Sequence, residues 1–359
     1  MHSLVVDNVN TALSEGLILI HTTGIEENSR NGKVLVMEDP VCTTYTRPWE
    51  RVLFSPTRDA NPFFHLMEAI WMLAGRNDII WPVYFNSRFK EYSDDGITQW
   101  AAYGKRWRSW FGYDQLMVIS EELQKNPNSR RCVLAMWDAV LEEGCDNKGD
   151  LNVAIAGGRD VPCNTHAYFD ARGGKLNMTV SCRSNDILWG AYGANAVHFS
   201  LLQEVMAKLV GIPMGVYRQI SCNYHLYTEV IPRDKIVKLA SDKVNMYEMV
   251  KSPLEPTITN GEAFLRDCEK FVDFYVKYIS WEPGRELPEP VDLEEPFFRD
   301  TAVPMFMAYY LHKNKHPDAL KARNNIAAWD WGLAAGSWLE KRIKIRMEKQ
   351  IKGEVASVG

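Results

Sequence analysis

The sequence predicts an α/β (α+β) fold, a mixed or mostly antiparallel sheet covered by helices. Two observations carry that expectation. Strand-like and helix-like segments are interspersed without the regular alternation of a parallel, doubly wound sheet. One stretch, "THAYFDARGGKLNMTVSCRS", reads as two strands around a tight turn at Gly173-Gly174. Taken in chain order, "NPFFHLMEAIWMLAGRND" reads as a buried helix, because Phe63, Phe64, Met67, Ile70, Trp71 and Ala74 recur at helical spacing before Gly75. "RRCVLAMW" reads as a strand, and the Gly-Gly hairpin follows. "AVHFSLLQEVMAKLVGIP" is a helix with Val197, Leu201, Leu202, Val205 and Leu209 on its apolar face, closed by Gly211 and Pro213. "EAFLRDCEKFVDFYVKYI" is another helix. The segment from Pro317 to about Met347 is expected to be helical and ends basic, as helix C-termini prefer. No internal repeat or low-complexity linker divides the chain, so one domain over 1–359 is expected, with a helical C-terminal part from about residue 235.

The 359 residues are 46% hydrophobic and 24% charged, an ordinary soluble composition. The net charge of -5 argues against general nucleic-acid binding, which needs a basic excess, but leaves room for a local phosphate pocket. The start "MHSLVVDNVN" lacks a basic region followed by a long apolar one, and no run reaches the roughly 18 to 20 apolar residues of a membrane span. Seven scattered cysteines (Cys42, Cys132, Cys145, Cys163, Cys182, Cys222 and Cys268) form no Cys-x-x-Cys pair. That pattern predicts reduced thiols in a cytoplasmic protein and no metal site.

The chemistry-bearing residues gather in a few places. Cys163 follows Pro162; Arg183 and Ser184 end a strand, with Asp186 just beyond; Asn195 opens the long helix; His225 and Tyr227 lie two apart in "NYHLY". Upstream stand Glu68 and the pair Arg130-Arg131. Each has a plain structural reading. Free cysteine is usually core. Arg130 and Arg131 can be a solvated strand entry, Arg183 an edge-strand arginine, and His225 and Tyr227 a pair on one strand face. Glu68 among Phe64, Met67, Ile70 and Trp71 either faces solvent or lines a site where a raised pKa is useful, since a lone buried carboxylate is costly. Together the residues fit one chemistry. Guanidinium forks and a hydroxyl make a phosphate socket. Nearby arginines favour a thiolate. An amide matches the O4 and N3–H edge of uracil. A thiolate added at C6 of a pyrimidine makes C5 nucleophilic, with a carboxylate to move protons.

The ordered segments "SRNGK", "FFHLMEAIWMLAG", "YGKRWR", "DQL", "NPNSRRCVLAMWD", "PCNTH", "CRSNDILWG", "GANAVHFSLL" and "CNYHLY" resemble the thymidylate synthase superfamily over roughly residues 20 to 230. The resemblance implies roles one by one. Cys163 is the nucleophile and Glu68 the catalytic carboxylate. Arg30, Arg183 and Ser184 bind the nucleotide phosphate, and Arg130 and Arg131 reach the phosphate of a partner subunit. Asn195 reads the base, His225 and Tyr227 hold the sugar 3'-hydroxyl, and Asp186 contacts the folate. Phe89 and Tyr92 fall where the synthases have a tryptophan-rich segment beside the folate. The implied one-carbon donor is 5,10-methylenetetrahydrofolate, and the implied assembly is a homodimer packed sheet to sheet with shared sites.

The chain also departs from the synthases. Asn164 follows Cys163 where they read histidine. "WGAYGAN" is one residue longer than their segment and lacks its proline. Cys222-Asn223 replaces Gly-Asp, and "GEVASVG" does not match their C-terminal tail. These changes surround the one-carbon unit, and "RSND…WGAYGANAVH" looks like the phage-type pyrimidine hydroxymethylases. In that branch water, not hydride, reaches the methylene on C5, and Glu68 would activate it. The expected reaction is dUMP to 5-hydroxymethyl-dUMP. A thymidylate synthase, and a dCMP or CMP hydroxymethylase, stay open, because an amide that turns over reads cytosine. A non-catalytic nucleotide binder is the alternative of another class; the intact set of Cys163, Glu68 and Arg183 argues against it.

Overall fold

Among the residues described in the computed structural model (1–139, 149–250, 254, 256–281, 289 and 291–351), ten strands form two sheets. They are β1 His2–Val6, β2 Ile25–Ser29, β3 Gly32–Val36, β4 Val41–Tyr45, β5 Val133–Ala135, β6 Asn164–Asp170, β7 Leu176–Cys182, β8 Asn185–Asp186, β9 Met214–Ser221 and β10 Tyr224–Tyr227. The larger sheet runs β1-β4-β9-β7-β6-β5 and the smaller β2-β3-β10-β8. The pairs β1/β4, β7/β9 and β8/β10 are parallel and the rest antiparallel, so the expected mixed sheet is present as two. Burial along β7 alternates at every residue, the period of a strand with one covered face. Gly173 and Gly174 turn the β6–β7 hairpin at φ of 70° and 71°, a region that glycine enters without a Cβ clash.

The chain steps directly from a strand of the larger sheet into one of the smaller at Arg183-Ser184 and at Cys222-Asn223. The crossings are stitched together: Cys222 N–H donates to the Cys182 carbonyl and Asn185 N–H to the Asn223 carbonyl, both at 2.8 Å. This seam brings Arg183, Ser184, Asp186 and His225 into one neighbourhood although they span more than forty residues.

Seven helices of eleven residues or more occur among the described residues: α1 Val9–Thr23, α2 Pro62–Leu73, α3 Gln115–Lys125, α4 Asn195–Val210, α5 Gly261–Ile279, α6 Val303–Lys313 and α7 Trp329–Ile351. Asn61 caps α2 by accepting from Phe64 N–H at 3.1 Å, and Pro62 occupies its first turn, where a missing N–H costs nothing. α4 is the central helix, with 14 of its 16 residues buried, packed on β7 and β9 on one side and α2 on another. Its Gln203 is held by the carbonyls of Leu176 (2.8 Å) and Val216 (3.1 Å), and its Glu204 pairs with buried Arg51. Buried polar groups on a core helix need such partners.

The helix expected from Pro317 to Met347 is instead two pieces. A short helix Ala319–Ala322 and a 3-10 turn Arg323–Asn325 precede α7, because Ile326 turns extended into the core and Ala327 N–H donates to the Asp300 carbonyl at 2.8 Å. The C-terminal helices cover α2. Phe63 meets Tyr309 and Trp338 at ring distances of 5.3 and 5.5 Å, and Trp81 stacks on Phe306 at 5.8 Å. Phe63, Trp81 and Phe306 are fully buried, and burying one such side chain contributes about 1.5–3 kcal/mol. The hydrophobic cluster thus runs from Val6 to Leu339. Cys145 and the "GEVASVG" segment lie outside the described residues.

Candidate active site

A cleft of about 520 Å³ opens where the β7–β8 crossing meets α2 and the start of α4. Seven residues singled out in the sequence line it: Cys163, Glu68, Ser184, Asp186, Asn195, Phe89 and Tyr92. Cys163 stands one residue before β6 and is half-buried. Its N–H and that of Asn164 both donate to the Tyr103 hydroxyl at 3.0 Å, and its carbonyl accepts from Arg183 N–H at 2.8 Å. The backbone on both sides of the sulfur is therefore fixed.

Arg183 is held over that sulfur. Its Nε donates to the Pro162 carbonyl (2.8 Å), its Nη2 to the Val161 carbonyl (3.0 Å), and Nη2 lies 4.0 Å from Cys163 Sγ. Burial pushes the Cys163 thiol up, Arg183 pulls it down and Asp160 adds to the upward push. The expectation that arginines bring the thiol below its ordinary value is corrected here: one guanidinium stands beside the sulfur, and burial outweighs it.

Glu68 projects from α2 into the cleft, so the choice left open by its helical neighbours resolves away from bulk solvent. Its Oε2 lies 3.3 Å from Nε2 of His198 on α4, without the alignment of a hydrogen bond. Asn195 is the first residue of α4 and is buried. Its Oδ1 accepts from Asn164 Nδ2 and its Nδ2 donates to Asn185 Oδ1, each at 3.2 Å. Asp186 accepts from the N–H groups of Leu188 (2.9 Å) and Trp189 (2.7 Å), capping the turn that leads into α4; burial raises its carboxyl.

A second cleft of about 600 Å³ adjoins the first and shares Arg88, Tyr92 and Trp189 with it. It holds two more expected residues, Arg30 at the β2–β3 turn and Tyr227 on β10. His225, buried on β10, sets its ring edge-on to Tyr227 at 5.2 Å, while its Nδ1 lies 3.4 Å from the Asn223 carbonyl. Arg130 and Arg131 are exposed ahead of β5 and line neither cleft of their own chain.

The cleft also contains residues that the sequence reading passed over. Trp189, 42% exposed, offers a flat ring at the junction of the two clefts. Arg58 donates to the Leu188 carbonyl through Nε (3.1 Å) and Nη2 (2.8 Å). His65 is driven down to about 3 by burial, with Arg58 and His198 adding to it, so its ring stays neutral. Asp160 accepts from Ala101 N–H at 2.9 Å, yet burial raises its carboxyl to about 7. Tyr103 opens the quoted "YGKRWR", and Asp160 lies three residues before Cys163; those positions were the available signals. The arrangement can present a nucleophilic sulfur, a fixed amide, carboxyl groups and flat rings to one planar ligand. Among the described residues no group of three or more metal-ligating side chains occurs, and no helix is long and apolar enough to cross a membrane.

The chain is also similar over most of its length to known proteins. The family model for thymidylate synthase matches residues 21–277. A deoxyuridylate hydroxymethyltransferase of Pseudomonas phage M6 is 43% identical over 344 residues, 93% of either chain. One of Bacillus phage SP01 is 31% identical over 294 residues, 75% of this chain and 72% of that protein. A thymidylate synthase of Symbiobacterium thermophilum is 27% identical over 237 residues, 59% of this chain and 75% of that protein.

Proposed function

The chain belongs to the thymidylate synthase family, and from that premise we propose that it is a one-carbon transferase converting dUMP to 5-hydroxymethyl-dUMP. The observation that carries the proposal is Cys163, which lines one cleft with Glu68 and Asn195 while its sulfur lies 4.0 Å from Arg183 Nη2. As a thiolate, Cys163 bonds to C6 of the pyrimidine, so that C5 becomes the nucleophile for the incoming carbon; C5 then gives up its proton to a base in the cleft, and the sulfur leaves when the product forms. Asn195 holds the base edge. Arg183, Ser184 and Arg30 take the phosphate, and His225 and Tyr227 the sugar.

The folate fits the donor set of the cleft. Phe89, Tyr92 and Trp189 supply flat apolar faces and Asp186 a buried carboxyl for a polar ring edge. When bound, 5,10-methylenetetrahydrofolate supplies the carbon. Water as the final nucleophile is supported by the polar side chains of Gln99 and Asp160 in the cleft that Cys163 lines, with Glu68 placed to take its proton.

A homodimer with shared sites is part of this reading. The exposed position of Arg130 and Arg131 supports it, since each pair can then serve the phosphate of the other chain. So does the outer face of the larger sheet, where Val133, Tyr168, Thr179, Arg218 and Thr44 form one partly exposed row in register.

The test is mass spectrometry of the products from a mixture of dUMP, dCMP and CMP with methylenetetrahydrofolate. The expected product is 5-hydroxymethyl-dUMP, without the absorbance of dihydrofolate. Appearance of dTMP with dihydrofolate replaces this reading with the synthase. Absence of any product, with nucleotide binding intact in Cys163→Ala, replaces it with the binder.

A further inference from the structure

The amide of Asn195 does not stand alone. Asn164 Nδ2 donates to Asn195 Oδ1 (3.2 Å), Asn195 Nδ2 donates to Asn185 Oδ1 (3.2 Å), and Asn185 Nδ2 donates to Ser221 Oγ (2.9 Å). The four residues are 1%, 8%, 1% and 2% exposed, so water does not compete for these bonds. The row is also closely packed: a Cβ on Gly190 would come within 2.4 Å of Asn185 Oδ1. Asn164 and Asn185 come from different strands, β6 and β8, and meet Asn195 only through the seam between the sheets.

We infer that Asn164 and Asn185 are positioning residues that set which pyrimidine the enzyme accepts, by holding the Asn195 amide in one orientation. An amide nitrogen carries two hydrogens and an amide oxygen two lone pairs. After its bonds within the row, Asn195 keeps one N–H and one lone pair for a base. That pattern meets the O4 acceptor and N3–H donor of uracil; cytosine needs the same amide turned over. Turned over alone, Asn195 would set its NH2 against the NH2 of Asn164 and its oxygen against Asn185 Oδ1, two buried mismatches. It can read cytosine only if the whole row reverses. Reversal is chemically possible, because the Ser221 hydroxyl can donate as well as accept. Base choice therefore resides in the polarity of the row and not in Asn195 alone. This rests on the dUMP reading above, which identifies the held orientation as the one for uracil.

The test substitutes each end of the row and measures kcat/KM for dUMP and dCMP. Asn164→Asp replaces the donor facing Asn195 Oδ1 with an acceptor, which favours the reversed row. The dCMP-to-dUMP ratio of kcat/KM is expected to rise about tenfold or more. Asn185→Asp keeps an acceptor for Asn195 Nδ2, and its ratio is expected to stay within about twofold of wild type. A merely structural role would lower both substrates together. An unmoved ratio in folded Asn164→Asp overturns the inference, as does an equal shift in Asn185→Asp. If Asn164→Asp does not fold, Asn164→Ala removes the same donor, and its ratio must move in the same direction. The outcomes are separable: a wild type that turns over no pyrimidine nucleotide defeats the proposed function, whereas a dUMP-active wild type with an unmoved ratio defeats only the row.

Discussion

Cys163 and Asp160 show how much of this site depends on single residues that the fold brings together. Asp160 pushes the Cys163 thiol up, and its own carboxyl is raised to about 7 by burial. Two outcomes are expected of Asp160→Asn. With the negative charge gone, the thiolate is favoured, so alkylation of Cys163 by iodoacetamide at pH 8 becomes faster; an unchanged or slower rate contradicts the coupling. The second concerns stability. The folded-state pKa lies above the unfolded value near 4, so the group's contribution is fully present below that value and is lost as pH rises through about 7. Wild type therefore loses more melting temperature between pH 5 and pH 8 than Asp160→Asn does. Residues with an intrinsic chemical signature were legible in the sequence: Cys163, Glu68, Ser184, Asp186 and Asn195 share one cleft. Asp160, Tyr103 and Asn185 were not, because a carboxyl, a phenol or an amide gains its meaning only from neighbours. Tyr103 is 60 and 61 positions from the two N–H groups it accepts from.

At the scale of elements, the approach to Cys163 is pinned by one buried ion pair. Arg106 Nη1 and Nη2 donate to Asp150 Oδ2 (2.7 Å) and Oδ1 (2.9 Å), and neither side chain is exposed. Asp150 also accepts from Trp100 Nε1 (2.8 Å) and Asp138 N–H (2.7 Å), while Arg106 reaches the carbonyls of Met136 and Trp100. Four segments converge there, including the one that leads through Asp160 to Cys163. Asp150→Ala leaves a buried guanidinium uncompensated and is expected to cost about 3–5 kcal/mol in urea unfolding. A loss below about 1 kcal/mol, the range of exposed pairs, would show that water reaches the pair. The helices α2 and α4 and the β6–β7 hairpin were readable because their periodicity and their Gly and Pro stops agree with the tertiary packing. The break before α7 was not. Between Ala319 and Trp329 no proline or glycine interrupts the chain, and the kink is imposed by Ile326 entering the core. The buried pair itself left no trace of spacing, its members being 44 residues apart.

For the whole molecule, the proposed dimer makes a prediction that no single chain can satisfy by itself. Arg130 and Arg131 line neither cleft of their own chain, so in the proposed assembly each active site combines Cys163 from one subunit with those arginines from the other. Cys163→Ala should be inactive for want of a nucleophile. A chain carrying both Arg130→Ala and Arg131→Ala should bind the phosphate poorly in every site it forms with itself. In a mixed dimer the two defects fall in one site, and the other site is assembled entirely from intact groups. Random pairing after co-expression makes half of the dimers mixed with one good site each, which restores roughly a quarter of wild-type activity. Light scattering should report a dimer throughout. Activity no greater than the sum of the two variants measured separately would mean that each chain builds its own phosphate socket. The exposed arginines would then be surface charges, as strand entries commonly carry.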